Sequence, residues 1–294
     1  MEKTIKSKIT FIISMVIFGT IALFVKKINV SSGELALYRA ILAAIIIGIY
    51  LLFTKQKIDI KLMKKELILI MISGMIMGFN WIFLFEAYKY TTVSVSTLAY
   101  YFAPIIVMIV CPLLLKEKLT KKQIVCFIMS TIGLVLIVGV GDLSAGNSHT
   151  IGVLFGFAAA VFYSIVIIIN KYIKNISGIH RTFIQFLSAI VVLIPYVIFT
   201  SGITISNLKL EGWICLLIVG VIHTGITYCA YFSSLKNIKG QTVALLSYID
   251  PFVAVLISFL MNETMTLYQI IGGILIILGT VINEIKLKNI KCLE

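Results

Sequence analysis

The sequence predicts an all-α membrane protein: ten transmembrane helices in two inverted five-helix repeats. Three observations predict it. Hydrophobic residues make up 60% of the 294 and charged residues 13%, about half the charged share of a soluble chain, and mean hydropathy is +1.10. A soluble core of this length could not hide so much apolar surface, whereas a bilayer can. The stretch from Tyr88 to Val135 occurs twice. A shift of 147 carries Lys89, Leu98, Tyr101 and Pro104 onto Lys236, Leu245, Tyr248 and Pro251. One residue less carries Glu117, Thr120, Gln123, Ile124, Ile128, Gly133 and Val135 onto Glu263, Thr266, Gln269, Ile270, Ile274, Gly279 and Val281. A repeat this long implies two homologous halves. The third observation is that the lysines alternate in density from one connection to the next, as the positive-inside rule requires.

The apolar segments run over 7–25, 34–53, 66–88, 92–115, 121–140, 150–171, 179–199, 210–233, 240–260 and 267–286, each near the ~20 residues that span a bilayer. The first follows Lys3, Lys6 and Lys8 and carries Gly19 and Ala22, which mimic a cleaved leader. The apolar run continues to Val25, and the parity of the later spans needs it, so it is read as retained. Asp142 to Thr150 is the longest polar connection, which divides the chain into repeats 1–145 and 146–294. With the N-terminus inside, twenty of the 25 lysines and arginines fall on the inner side, and only Lys26, Lys27, Lys89 and Lys209 fall outside. Both termini are therefore expected in the cytoplasm, and the protein in the cell membrane. Five spans per half is odd, so the second half enters from the opposite face, an arrangement found in carriers that work by alternating access.

The net charge of +13 would suggest nucleic acid in a soluble chain. Here the lysines sit in short clusters between apolar runs, so no nucleic-acid partner is expected. Of the five cysteines, Cys111, Cys126, Cys215 and Cys229 lie in apolar segments and form no metal-type spacing; no metal and no cofactor is expected. The chain lacks GxxxxGK[ST], HExxH and GxSxG, so no nucleotide-driven pump or familiar hydrolase is expected, and the chain is not read as an enzyme.

Polar residues inside apolar spans mark the candidate site. Asp250 precedes Pro251 about halfway through the ninth span, where a carboxylate must face a cavity or a partner, or be protonated. It is read as a counterion for an amine or as a proton carrier. Pro104 and Pro251 each remove an N–H and crowd a carbonyl four residues earlier, so both spans are expected to kink and to cross at a central cavity. His223, Thr227 and Tyr231 lie at i, i+4 and i+8 on the eighth span. Asn80 and Trp81 fall on Thr227 and Tyr228 under the same shift of 147, so both halves place a polar–aromatic pair in mid-span. Tyr100, Tyr101, Tyr163 and Tyr248 complete an aromatic lining. Arg39 sits five residues into the second span, where it could snorkel outward or serve gating. Glu86 reads as a local ion pair with Lys89, Glu117 and Glu263 as first-turn helix caps, and Gly74/Gly78 and Gly152/Gly156 as close helix contacts.

Taken together, Tyr90-Thr91-Thr92 through Pro104, the turn Leu115-Lys116-Glu117-Lys118-Leu119-Thr120 and the Gly133 helix, with second copies at Gln241–Pro251, Asn262-Glu263-Thr264 and Gly272–Gly279, resemble the EamA family of the drug/metabolite transporter superfamily. Arg39 matches an arginine often seen in the second helix of that family. The resemblance covers essentially the whole chain. It implies a ten-helix carrier with a cavity lined by spans one to four and six to nine, with spans five and ten peripheral. It also implies movement of small metabolites such as amino acids, amines and drugs, often outward. Asp250 lies outside the recurring motif, so its role rests on its position alone. The expectation is a secondary transporter, exporting an amino acid, amine or aromatic compound, with the lipid bilayer around it, a proton as coupling ion, and a monomeric or homodimeric state. Two other classes stay open: a non-transporting membrane partner protein, and a membrane enzyme using His223 with Asp250.

Overall fold

The computed structural model describes residues 2–25, 27–55, 60–91, 96, 99–138, 147–200, 202, 205, 208–260 and 266–284. Leu98, Glu263 and most of the connection between the halves lie outside them. Among the described residues the fold is all helical, with no strand. The helices are α1 (Glu2–Gly19), α2 (Ala22–Val25), α3 (Ser32–Phe53), α4 (Ile60–Tyr90), α5 (Phe102–Leu115), α6 (Lys121–Val138) and α7 (Asn147–Tyr172). They continue with α8 (Gly178–Thr200), α9 (Leu210–Ile218), a π-helical segment (Val219–Ile226), α10 (Thr227–Leu235), α11 (Gly240–Leu246), α12 (Ile249–Leu260) and α13 (Leu267–Glu284). Among the described residues six helical stretches are long and apolar enough to cross a bilayer: Glu2–Val25, Ser32–Phe53, Glu66–Ala87, Thr150–Tyr172, Gly178–Thr200 and Leu210–Leu235. Phe102–Leu115 and Ile270–Asn283 are shorter apolar helices. Large exposed side chains such as Ile9, Phe53, Leu113 and Phe199 face outward, where lipid rather than water is the partner.

Helix starts are fixed by local chemistry. Ser31 and Glu34 form a capping box at α3: the Ser31 hydroxyl accepts from the Glu34 N–H at 3.2 Å and the Glu34 carboxylate accepts from the Ser31 N–H at 3.3 Å. Thr120 and Gln123 do the same at α6, at 3.2 and 3.0 Å, so two of the repeated residues are explained as a start signal. The ladder then opens identically in both copies, Ile124 N–H to Thr120 O and Ile270 N–H to Thr266 O, both at 3.2 Å.

Packing repeats as well. Helix α4 lies on α7 and α8, while α10 lies on α1 and the π segment on α3. The third span thus meets the sixth and seventh, and the eighth meets the first and second. Helices α6 and α13, equivalent in the repeat, pack on each other, and small residues set their separation. A Cβ built on Gly133 would come within 2.5 Å of Gly272 O, and one on Gly279 within 2.8 Å of Cys126 O. Lys122 Nζ donates to Asn283 O at 3.3 Å. Residues 122, 126 and 133 therefore meet 283, 279 and 272 in turn, so the two helices run antiparallel. Gly74 and Gly78 bring α4 onto the backbone of Gln185 and Ala189, and Gly152 and Gly156 bring α7 against Thr91, Ser96 and Ala99. Close backbone approach of this kind is what holds helices together where lipid offers the same apolar contact as a neighbour.

Candidate functional site

Asp250 sits where one helix stops and another starts. The α-helical ladder of α11 ends at Leu246, and Ser247 and Tyr248 form a turn. Helix α12 then begins at Ile249, which places Asp250 in its first turn and Pro251 immediately after. A proline is well tolerated there, because the N–H it lacks would have no intrahelical partner. The Ser247 carbonyl, which Pro251 cannot serve, takes the Asp250 N–H at 3.4 Å instead. Pro104 likewise lies in the first turn of α5, two residues after its start at Phe102. The expected mid-helix kinks are thus helix starts, and the ninth span is two half-helices. The positive end of α12 favours a carboxylate at Asp250. Gly19 clears the approach: a Cβ there would lie 2.7 Å from Asp250 O and from Val253 Cβ.

From Asp250 a continuous run of rings crosses the centre. Tyr101 donates to Asp250 Oδ2 at 2.9 Å, joining the two halves of the chain. Tyr100 is 5.8 Å from Tyr101 and 5.5 Å from Tyr163 between ring centres. Tyr163 and Tyr231 share a hydroxyl–hydroxyl hydrogen bond of 2.9 Å. Tyr231 is 6.1 Å from Tyr228, and Tyr228 meets Trp81 edge-on at 6.3 Å. At the far end the Arg39 guanidinium lies over the Trp81 ring, 4.2 Å from its centre, a cation–π contact. Phe186, which the shift of 147 makes the counterpart of Arg39, stacks on Trp81 at 6.3 Å. Trp81 and Tyr228, equivalent in the repeat, therefore touch each other at the middle. With Phe18 of α1 4.9 Å from Tyr228 between ring centres, the cluster draws on α1, α3, α4, α7, α8, α10 and α12 together with Tyr100 and Tyr101.

The cavity beside Asp250 is small. It holds about 30 Å³ and is lined by Met15, Phe18, Tyr100, Tyr101, Pro104 and Ser247, among others. That is room for a water and not for a metabolite. The structure is closed at its centre.

Other residues singled out in the sequence have different surroundings. Tyr248, the counterpart of Tyr101, is fully buried away from this cavity; its hydroxyl pairs with Thr131 at 2.9 Å and its ring packs on Phe127. Asn80 donates to Ala159 O at 2.7 Å and ties α4 to α7. Thr227 bonds within its own helix, to Ile222 O at 2.8 Å. The stripe expected at i, i+4 and i+8 runs through the π segment, where Thr224 and Thr227 each reach the carbonyl five residues back. His223 is buried against α1 and α2, with Nε2 3.0 Å from Thr20 Oγ1 and its ring 5.1 Å from Phe24. His223 and Asp250 share no hydrogen-bond partner among the described residues. Arg39 does not snorkel: its Nε is buried without a partner. Glu86 pairs with Lys89 at 2.5 Å and also accepts from Tyr196. Glu117 caps a helix, but one in the other half: it accepts from the Gly240 N–H at 2.9 and 3.2 Å, at the start of α11.

One buried polar group, Arg181, carries no signal in the sequence beyond an inner-side charge. Arg181 is buried, and its guanidinium donates to the carbonyls of Asn170, Ile173, Ile176 and Phe232. The first three lie at and just beyond the end of α7, where helix carbonyls lack intrahelical partners, and the fourth is in α10, so one buried side chain ties the two helices together. Ser73, Asn170 and Gln185 extend the network at 2.8–3.3 Å.

Comparison with known proteins agrees with this architecture. The model of the EamA-like transporter family matches residues 6–139 and again 150–284. An uncharacterized transporter of Bacillus subtilis, YxxF, is 30% identical over 280 residues, covering 95% of this chain and 89% of its own length. An uncharacterized transporter of Archaeoglobus fulgidus is 24% identical over 92% of this chain and 93% of its own. A crystal structure with 16% identity superposes with a TM-score of 0.82 over 95% of this chain and 96% of its own, a likeness of fold. With two matched stretches that together take in nearly all of its helices, the chain belongs to the EamA-like transporter family.

Proposed function

We propose that this protein is a ten-span secondary transporter that moves a small amino acid or amine across the cell membrane by alternating access. Its repeats are 1–145 and 146–294, inverted relative to each other, with both termini in the cytoplasm. The antiparallel pairing of α6 with α13, equivalent helices of the two repeats, supports the inversion. Outward movement is the direction the family resemblance implies.

The observation that carries the substrate reading is the pair of opposite charges at the two ends of the aromatic run. Asp250 stands at one end, held by Tyr101. Arg39 stands at the other, with Nε buried and unpartnered. An ammonium group fits a carboxylate walled by ring faces, and a carboxylate fits a guanidinium fork. The rocking of one repeat against the other opens the small cavity between α1, α5, α7 and α12 to metabolite size. Asp250 carries the coupling proton when no ammonium is bound. The non-transporting and enzymatic readings have no comparable support, since neither uses a charge pair across a repeat interface.

Thermal unfolding of the purified protein against amino acids and their decarboxylated amines tests this. A specific binder raises the midpoint in proportion to ln(1 + [L]/Kd). Asp250→Asn is expected to abolish the response to both sets, and Arg39→Gln the response to amino acids alone. A wild-type response that survives both substitutions would remove the site from this run of rings.

A further inference from the structure

A polar cavity much larger than the central one lies away from it. It lies at the end of α5, the end of α7 and the turn joining α10 to α11, on the face that the lysine alternation assigns to the cytoplasm. Its volume is about 490 Å³. Five lysines line it, Lys116, Lys171, Lys174, Lys236 and Lys239, against one carboxylate, Glu117. That carboxylate is already engaged by the Gly240 N–H at 2.9 Å. Lys171 is 93% buried, since only 7% of it is exposed, and it makes no hydrogen bond or ion pair among the described residues. Lys116 ends α5 in a left-handed conformation, φ 52°, which a lysine rarely adopts. One element of the first half and two of the second thus converge on a cavity in which, among the described residues, five lysines face a single carboxylate. Exposed Leu113, Leu114 and Tyr172 lie beside it, with the Tyr172 hydroxyl fixed on Leu114 O at 3.2 Å.

We propose that this cavity binds a phosphate-bearing anion: the headgroup of an anionic phospholipid of the inner leaflet, or a free phosphate compound. The chemistry is the same for either source. Ammonium groups on three separate elements surround a tetrahedral anion, and Lys171 supplies the contact that is shielded from water. Basic pockets between spans on this side of a membrane take lipid phosphates in the same way, and the apolar rim offers a surface for acyl chains. The site is separate from the aromatic run and stands whatever substrate that run takes.

The test uses the full-length protein, delipidated in an uncharged detergent, with dihexanoyl-phosphatidylglycerol, dihexanoyl-phosphatidylcholine and inorganic phosphate as probes. Bound mass is read by native mass spectrometry and the unfolding midpoint by thermal scan. The phosphatidylglycerol is expected to bind saturably and raise the midpoint, and the phosphatidylcholine not to. Lys236→Gln with Lys239→Gln, both exposed, is expected to weaken binding at least tenfold, from about fivefold per lysine. Lys118→Gln with Lys121→Gln, on the same face but outside the cavity lining, is expected to leave affinity within about twofold, on the premise that an exposed charge making no direct contact with the anion contributes little. Saturable binding of inorganic phosphate with the same variant pattern supports the site and identifies a free anion as sufficient; binding of the lipid alone supports it and identifies the headgroup. Equal binding of both lipids, equal loss in both double variants, or no saturable binding of either phosphate probe overturns the proposal.

Discussion

The two arginines of the chain show how much one side chain can decide. There are 23 lysines and only two arginines, Arg39 and Arg181, and the guanidinium of each is turned inward. A lysine presents a compact, strongly hydrated charge, whereas the planar fork of arginine satisfies several acceptors at once in a dry setting. Arg181 uses that fork on four carbonyls. Arg181→Met is therefore expected to destabilise the protein by about 3 kcal/mol, since hydrogen bonds to a charged group contribute roughly 1.5–3 kcal/mol each and their loss leaves buried carbonyls unpaired. Arg181→Lys should recover little of it. Thermal unfolding of both variants checks this, and full rescue by lysine would show that charge rather than geometry matters. The rarity of arginine was visible in the sequence, but the burial of Arg181 was not. Its partners are carbonyls around the end of α7 and in α10, and backbone groups leave no mark in a residue string. The charged and aromatic members of the central run, by contrast, were legible, because Asp250, Trp81 and Tyr228 are out of place in an apolar span or recur under the repeat.

At the scale of elements, the sequence located most helices and misjudged how two of them are built. A proline well inside an apolar run implies a kink, because it removes an N–H and crowds a carbonyl four residues earlier. The start of a helix, however, is set by where the hydrogen-bond ladder resumes, and α12 resumes at Ile249. The π segment was also hidden, since Val219–Ile226 contains no residue that demands a wider turn; such segments are rare and concentrate at functional sites. The pairing of α6 and α13 was only partly legible: Gly133 and Gly279 were equivalent in the repeat, but their contact across it was not foreseen. That contact makes a symmetric expectation. An added methyl would meet Gly272 O at 2.5 Å in one case and Ser130 Oγ at 2.2 Å in the other. Gly133→Ala and Gly279→Ala should each cost about 1–3 kcal/mol, the usual range for overpacking, and the two costs should be similar. Gly225→Ala, whose methyl meets nothing nearer than 3.5 Å, should change stability far less. Unfolding midpoints of the three variants decide the matter, and a large difference between the first two would break the symmetry.

At the scale of the whole molecule, one contact ties the two repeats together at one face. Glu117, from the first half, holds the N-terminus of α11, from the second, through the Gly240 N–H. Directly beneath, Gly240 packs on Cys111, whose Sγ would lie 2.3 Å from a Cβ at that position, and Cys111 is buried. If the halves rock to open this face, α11 must leave α5, and the thiol must meet solvent. A carboxylate at a helix N-terminus contributes about 0.3–1 kcal/mol to the closed arrangement, and up to about 2 kcal/mol when partly buried. Removing it shifts the equilibrium toward the open form by that amount, a factor of about five for 1 kcal/mol. Glu117→Ala, in a background with Cys126, Cys215, Cys229 and Cys292 changed to alanine, is therefore expected to label at Cys111 with a membrane-impermeant maleimide about fivefold faster than the same background with Glu117 intact. Glu117→Gln, which keeps an acceptor but loses the charge, should fall between the two. The unfolding midpoint separates opening from loosening. Faster labelling with a nearly unchanged midpoint means that the halves part as bodies. Labelling that rises only in step with a falling midpoint means that the carboxylate is a helix cap and nothing more.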